Sequence, residues 1–228
     1  MTNHPACKPI QSLNPSSANM KKISHFLLTL LLLAPVPLFS QGYIGLGYGF
    51  SFPTGDMYDF IDQPGWRGCH LEAGGFLTDH LSVGAAFSWY GYYQSFPLQT
   101  YENINGTGIT ITGEQLRYAN VYPLMLKVRY YFPAKDSGFM FYAGGAAGAV
   151  FATRLQDFGV YSESDHTAQF GFYPEAGLSY WFNGRFALCL DGRYYYSLKS
   201  AALPSHSGIS VNLGLVWKFG TRNFTFMD

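Results

Sequence analysis

From residue 42 onward the chain alternates. In GYIGLGYGFSF, residues 42–52, Ile44, Leu46, Tyr48, Phe50 and Phe52 share one parity, and Tyr43, Gly45, Gly47, Gly49 and Ser51 the other. A period of two marks a strand whose faces meet different surroundings. The glycines do not form a phosphate loop. Gly45 and Gly47 begin G-x-G-x-x-G, but Phe50 stands where the third glycine belongs, and no lysine follows at the spacing of G-x-x-x-x-G-K-[ST].

Further runs repeat the pattern. Gly68–Leu77 sets Cys69, Leu71, Ala73, Gly75 and Leu77 against His70, Glu72 and Gly74. Leu81–Tyr93 carries Leu81, Val83, Ala85, Phe87, Trp89 and Tyr93 on its apolar face. The fourth run ends in PLMLKVRYYF, where Tyr122, Leu124, Leu126, Val128 and Tyr130 oppose Met125, Lys127, Arg129 and Tyr131. The fifth, FMFYAGGAAGAVFA from Phe139, is small on both faces, so its orientation stays open. In the sixth, Phe172, Pro174, Ala176, Leu178, Tyr180 and Phe182 oppose Tyr173, Glu175, Gly177, Ser179 and Trp181. The seventh sets Phe186, Leu188, Leu190, Tyr194 and Tyr196 against Cys189, Asp191, Arg193 and Tyr195. The eighth sets Ile209, Val211, Leu213, Leu215, Trp217 and Phe219 against Ser210, Asn212, Gly214 and Lys218.

The connections alternate too. Thr78–His80, Pro133–Gly138 and the turn at Asn183-Gly184 are short, whereas 53–67, 94–114, 155–167 and 198–207 are long. Asn105-Gly106 reads as a hairpin tip that carries the third and fourth strands past the membrane. Eight strands joined long and short in turn give an all-β fold, an eight-stranded antiparallel up-and-down transmembrane β-barrel.

Composition decides between a membrane barrel and a soluble one. Charged residues make up 12% of the chain, about half the usual share, and aromatics 18%. A lipocalin-like barrel faces water outward and keeps apolar side chains inside. Here the larger, more continuous face is apolar and the opposite face holds nearly all strand charges. Arg or Lys on a lipid face costs roughly 2–4 kcal/mol at the midplane, so this segregation favours lipid outside. Aromatics gather near the run ends: Phe182, Phe186, Trp217 and Phe219 as a periplasmic girdle, and Phe50, Phe52, Trp89, Tyr93 and Tyr196 as an outer one. A net charge of zero gives no reason to expect a nucleic-acid partner.

Ahead of the barrel, MKKISHFLLTLLLLAPVPLFSQG from Met20 has two lysines, an apolar run from Ile23 to Leu33, and Ser40-Gln41. This is the layout of a secretory signal peptide over 20–40, cleaved after Ser40. A membrane anchor needs about 20 apolar residues, and Pro35 and Pro37 interrupt this run. The expected organisation is an extension at 1–19 ahead of a start at Met20, the signal, a barrel at 41–220, and a tail at 221–228. Cleavage leaves the N-terminus and short turns in the periplasm and sends the long loops outside. Cys7 lies in the extension, and Cys69 and Cys189 face opposite ways, so no disulfide joins them.

The signal, GYIGLGYGFSFPTGDM, PLMLKVRYYF and the closing GLVWKFG together resemble the small outer-membrane β-barrel family of Bacteroidota, often described as PorT-like or OmpA/OmpW-like. The likeness covers 41 to about 220. It implies an integral outer-membrane protein among lipid and lipopolysaccharide, placed there by the outer-membrane insertion machinery, with an envelope protein partner as a further expectation. One departure is the tail: such barrels commonly end on a terminal aromatic, whereas Thr221–Asp228 follow Gly220, so either the insertion signal is internal or Phe224 or Phe226 takes part.

An eight-stranded barrel has an interior that side chains can fill. The inward candidates are Glu72, Glu175 and Asp191 with Lys127, Arg129, Arg193 and Lys218, which must pair because a buried lone charge is costly. If Phe182 faces Phe186 across the turn, Glu175 sits opposite Arg193. The same charges could instead line an ion or proton path or form an acid/base pair, but catalysis needs substrate space beside them. Asp56, Asp59 and Asp62 in the first long loop lack the every-second-residue spacing of a calcium loop. Ser205-His206-Ser207 resembles the Ser/His pair of barrel lipid-A deacylases, but no carboxylate activates it and neighbours in a strand point apart. His70 is expected to be a hydrogen-bonded lumen residue. The glycines of the first strand are expected to leave room for Tyr, Arg and Lys reaching across. The reading is non-enzymatic, without cofactor or metal: a plugged barrel with a structural or surface role carried by its loops. The likeness also leaves a narrow OmpW-like channel or a PorT-like part of a secretion or gliding machine.

Overall fold

The computed structural model describes residues 41–101, 111–133, 138–158, 161–182, 184–201 and 203–220. The extension with Cys7, the signal and its cleavage site, the Asn105-Gly106 tip, Asn183, and the tail with Phe224 and Phe226 lie outside the described residues. Eight strands follow in chain order: β1 (Gln41–Thr54), β2 (Arg67–Phe76), β3 (Leu81–Tyr101), β4 (Ile111–Pro133), β5 (Phe139–Asp157), β6 (Ser162–Trp181), β7 (Phe186–Ser197) and β8 (His206–Gly220). Each pairs antiparallel with its sequence neighbour, and β8 pairs with β1 from Gln41↔Gly220 to Thr54↔Ser207. The ring is closed. Closure gives every strand two partners and leaves no edge in the belt, as a hydrocarbon surround requires.

The molecule is apolar outside and polar inside. Leu126 is 75% exposed while Lys127 beside it is 1% exposed, and the alternation continues with Val128 out and Arg129 in. Both faces of β1, β2, β4 and β6–β8 fall as the period of two assigns them. The orientation that Ala and Gly hid in the fifth run is now visible: Phe139, Phe141 and Phe151 are exposed, and Met140, Tyr142 and Val150 are buried.

The short turn after Phe182 sets a register. Phe182 N–H donates to the Phe186 carbonyl at 3.0 Å. Gly184 takes φ 69°, a left-handed conformation that glycine adopts without steric cost. Counting back from this turn, Glu175 lies opposite Arg193.

Two elements differ from the sequence reading. The connection 155–167 is not a long loop, because β5 and β6 pair out to Asp157↔Ser162. With water on both faces there, the ladder persists but the apolar–polar period vanishes. The first long loop also contains a five-residue helix, α1 (Asp56–Phe60).

Strands β3–β6 outrun their neighbours at this end. β2 stops pairing at Arg67↔Gly91 and β7 at Gly171↔Ser197. A four-stranded wall therefore stands above the ring, bounded by β3 beyond Gly91 and β6 before Gly171. A register shift between Phe96 and Gln99, around Pro97, interrupts the β3–β4 ladder.

Cys69 is exposed on the outer face and Cys189 buried inside, both free thiols. In a bilayer, a lipid-soluble maleimide should label Cys69 alone, with Cys189 reacting only after unfolding. Mass spectrometry of the labelled chain checks this, and labelling of folded Cys189 would contradict a packed interior.

Candidate functional site: a lumen filled by side chains

The interior is stacked in layers. At the turn end an aromatic layer gathers Tyr43, Phe76, Tyr131 and Tyr142 with Met140 and Val216. Its rings meet at a tilt, Phe76–Tyr131 at 5.4 Å and Tyr131–Tyr142 at 5.6 Å between centroids.

Above it lies an ionic layer. Glu72 of β2 pairs with Lys127 of β4, and Arg129 Nη1 stands 3.3 Å from its Oε1. Arg129 Nε donates to Glu175 Oε1 of β6 at 2.8 Å. Arg193 Nε lies 3.3 Å from Glu175 Oε2 and 2.7 Å from Asp191 Oδ1, and its Nη2 hydrogen-bonds Asp191 Oδ2 at 3.2 Å. Asn212 Nδ2 and the Tyr142 hydroxyl complete Asp191's shell at 2.9 and 3.3 Å. Three carboxylates thus face three cations in one chain across the lumen. All six are nearly water-free, none more than 4% exposed. Mutual pairing is what makes such burial tolerable.

The register explains how β2 meets β4 although β3 lies between them. The inward residues of β3 at this level are Ser82, Gly84, Ala86 and Ser88, all small. Glu72 and Lys127 reach one another over them.

Lys218 stands apart from this layer. Its Nζ lies 5.8 Å from the centre of the Phe76 ring, at the turn end. The expectation that it joins the three acids is therefore corrected. β8 places it beside Tyr43 of β1, well down the strand from Asn212, which does join.

The glycine face of β1 makes room for close neighbours, not for groups reaching across. A Cβ on Gly45 would meet Glu72 at 2.7 Å, one on Gly47 would meet His70 at 2.2 Å, and one on Gly49 would meet Asn212 at 2.1 Å. The occupants come from the adjacent strands β2 and β8, because neighbouring inward side chains lean over the bare backbone. His70 is buried as expected, but its Nδ1 has no hydrogen-bond partner. It fills space instead.

The third layer belongs to tyrosines. Tyr90 stacks on Tyr195 at 5.6 Å and 5°, Tyr92 meets Tyr195 hydroxyl to hydroxyl, and Ser51 Oγ donates to Tyr92 at 2.6 Å. Over them sits α1. Met57 and Ile61 are fully buried and Phe60 nearly so, in one apolar cluster with Tyr90, Tyr92, Val121 and Tyr195. Sequence reading missed this cap, since DMYDF is too short to show a helical period.

The first-loop acids do not converge. Asp56 Oδ2 accepts from Ser205 Oγ at 2.6 Å and Ser205 N at 3.2 Å, whereas Asp62 Oδ1 accepts from Gln94 Nε2 at 2.7 Å. No group of three metal-ligating side chains occurs among the described residues. Nor is His206 a base for either neighbouring serine. Arg154 Nε donates to its Nε2 at 3.1 Å, so the other nitrogen is the protonated one and donates to Gln169 Oε1 at 2.9 Å. Both ring nitrogens are engaged, and the imidazole is neutral.

The Ser205 hydrogen bonds hold the Asp56 carboxyl below its usual range. A depressed folded-state pKa means the tether acts above the unfolded value and fades as pH falls through the folded one. Loosening of α1 is expected only below about pH 4. A spin label at Tyr58→Cys (in a Cys69→Ser background) should broaden its motion there, and Ser205→Ala should show that mobility already at pH 7.

The outward aromatics flank the apolar belt. Phe182, Phe186 and Trp217 are exposed and Phe219 half-buried at the turn end, and Trp217 and Phe219 pack at 5.7 Å. Tyr130, Phe132, Phe139 and Tyr180 stand with them, which run-end counting overlooked. Toward the loop end, Phe52 and Tyr93 are exposed and Phe50, Trp89 and Tyr196 half-buried. Trp66, from the loop after α1, joins Phe50 at 5.7 Å.

A closed ring of eight antiparallel strands with an apolar exterior and a paired ionic interior defines a transmembrane β-barrel. The chain belongs to the outer membrane protein beta-barrel domain family, whose model matches residues 26–219. It is an outer-membrane protein. Among solved structures it is similar to Neisserial surface protein A (TM-score 0.53, 18% identity), covering 78% of this chain and 97% of that one. It is also similar to the outer membrane protein OprG of Pseudomonas aeruginosa (TM-score 0.50, 14% identity), covering 80% and 97%. At these identities the likeness is one of fold. No curated protein matches.

Proposed function

We propose that the protein is a non-enzymatic outer-membrane barrel whose lumen is closed by its own side chains and whose role lies at the loop end, as a structural or surface-contact element. The observation that carries this is the ionic layer, where Glu72, Glu175 and Asp191 consume Lys127, Arg129 and Arg193 in mutual pairs. Charges so paired leave no group free for acid/base work and no polar path for ions. The loop end faces outward and the N-terminus lies in the periplasm, following signal cleavage after Ser40. Lipid and lipopolysaccharide surround the belt. The insertion machinery delivers the chain, and an envelope protein is its partner. Kinship with PorT-like barrels of Bacteroidota belongs to the same reading. Purified protein in planar bilayers should carry no steady ion current. Sustained single-channel conductance would overturn the plugged lumen in favour of the narrow-channel reading.

A further inference from the structure

Two inward pairs of arginines in this barrel meet different surroundings. Arg129 and Arg193 in the ionic layer each contact two carboxylates. Arg117 and Arg154, beneath α1, contact none: among the described residues no carboxylate lies within 4.0 Å of either guanidinium. Yet Arg154 is only 7% exposed. Arg117 pairs in register with Gln156 and Arg154 with Ala119, so the two are diagonal neighbours on the inward face of β4 and β5. Like charges so placed repel unless something lies between them.

What lies between them is Phe60. Its ring centre is 5.4 Å from Arg117 Cζ and 4.7 Å from Arg154 Cζ, and its carbonyl accepts from Arg117 Nη1 at 2.9 Å. Arg154's own hydrogen bonds end on neutral acceptors, His206 Nε2 and Met57 Sδ. Arg117 Nε has no partner. A carbonyl oxygen and a ring face are weak substitutes for the anion that two guanidiniums accept best. Asp165 stands opposite Arg154 in register and Asp56 on α1, both exposed and both beyond ion-pair distance.

The occupant is held by the packing of Met57 and Ile61 in the apolar cluster, and its polar ties are few. α1 has five residues and no side-chain cap bond, and the chain enters it at Gly55, φ 55°. Its flanking tethers, Asp56–Ser205 and Asp62–Gln94, are exposed, and exposed polar contacts contribute little.

We propose that the loop-end mouth is a binding site for a small amphiphile with one anionic head and an apolar body, and that α1 occupies it as a built-in stand-in. The body takes the place of the Phe60 ring and its apolar neighbours. The head takes the place of the Phe60 carbonyl on Arg117, with Arg154, on the far side of the Phe60 ring site, as its second cation. This goes beyond the plugged-barrel reading and is read separately from it, since binding above the ionic layer leaves conductance unchanged.

Calorimetry on the full chain in nanodiscs, against empty nanodiscs, tests the site with 4-phenylbutyrate, its neutral amide, and acetate. The acid should bind about tenfold more tightly than the amide, the share owed to a charge-assisted head contact. Acetate should not bind measurably. Phe60→Ala, which removes the stand-in, should tighten the acid roughly fivefold or more by raising the competent fraction. Arg117→Gln should erase the difference between acid and amide. Heat-modifiable electrophoretic mobility confirms that each variant is folded. Equal binding of acid and amide, acetate binding as well as the acid, or no binding by folded Phe60→Ala would each overturn the proposal.

Discussion

Replacing Arg129 with alanine should destabilise the barrel by about 3–5 kcal/mol, the cost of removing one member from a buried ionic group. Arg129 holds both Glu72 and Glu175. Without it Glu72 keeps Lys127 and Glu175 keeps only the longer contact to Arg193 at 3.3 Å, so one net negative charge is stranded away from water. Lysine should rescue little, since a single ammonium cannot bridge two carboxylates as the planar guanidinium does. Adding Glu175→Gln restores neutrality, so the double variant should lose less than the sum of the two single losses. Urea unfolding in lipid vesicles, followed by tryptophan fluorescence, measures the parent and all four variants. An Arg129→Ala barrel as stable as the parent would show that the layer is hydrated or loosely packed.

The second large effect belongs to the outer face. Leu126 is 75% exposed because its register partners are Ala85 and Ala147, which cannot cover it. Leu126→Arg should cost roughly 2–4 kcal/mol in a bilayer, the depth-dependent penalty for a cation against lipid. Leu98, 68% exposed, sits on β3 above the ring, so Leu98→Arg should be near neutral. The same unfolding assay separates the two. Equal effects at both positions would remove the case for lipid around Leu126.

Much of this architecture was legible because a strand between lipid and a filled lumen has two chemically unlike faces. In β7 and β8 leucines and aromatics alternate with Asp191, Arg193 and Asn212, and a period of two is unmistakable. In β5 the signal fails, since Ala and Gly satisfy either face. The Glu175–Arg193 contact could be counted from a turn because β6 and β7 are adjacent. The contact of Glu72 with Lys127 could not, because it crosses β3. The run of Ser82, Gly84, Ala86 and Ser88 was the available clue, since small residues in alternate positions let long ones pass over. Lys218 has the same parity as Asn212 but a different depth, and parity carries no depth. The cap was hidden for another reason: five residues cannot display a period, and Met57, Phe60 and Ile61 are buried by tertiary contact alone.

The wall above the ring has a consequence for self-association. Its two flanks are strand margins with main-chain groups that no ladder of the ring uses, a standing invitation for a neighbouring copy to zip on. Both margins are spoiled for that purpose. On β3, Pro97 lacks an N–H and the shift between Phe96 and Gln99 breaks the straight repeat. On β6, the segment S-E-S-D-H places Glu163 and Asp165 where an incoming strand from an identical molecule would bring the same charges. An identical strand thus meets, at either margin, a backbone or a charge pattern that opposes pairing.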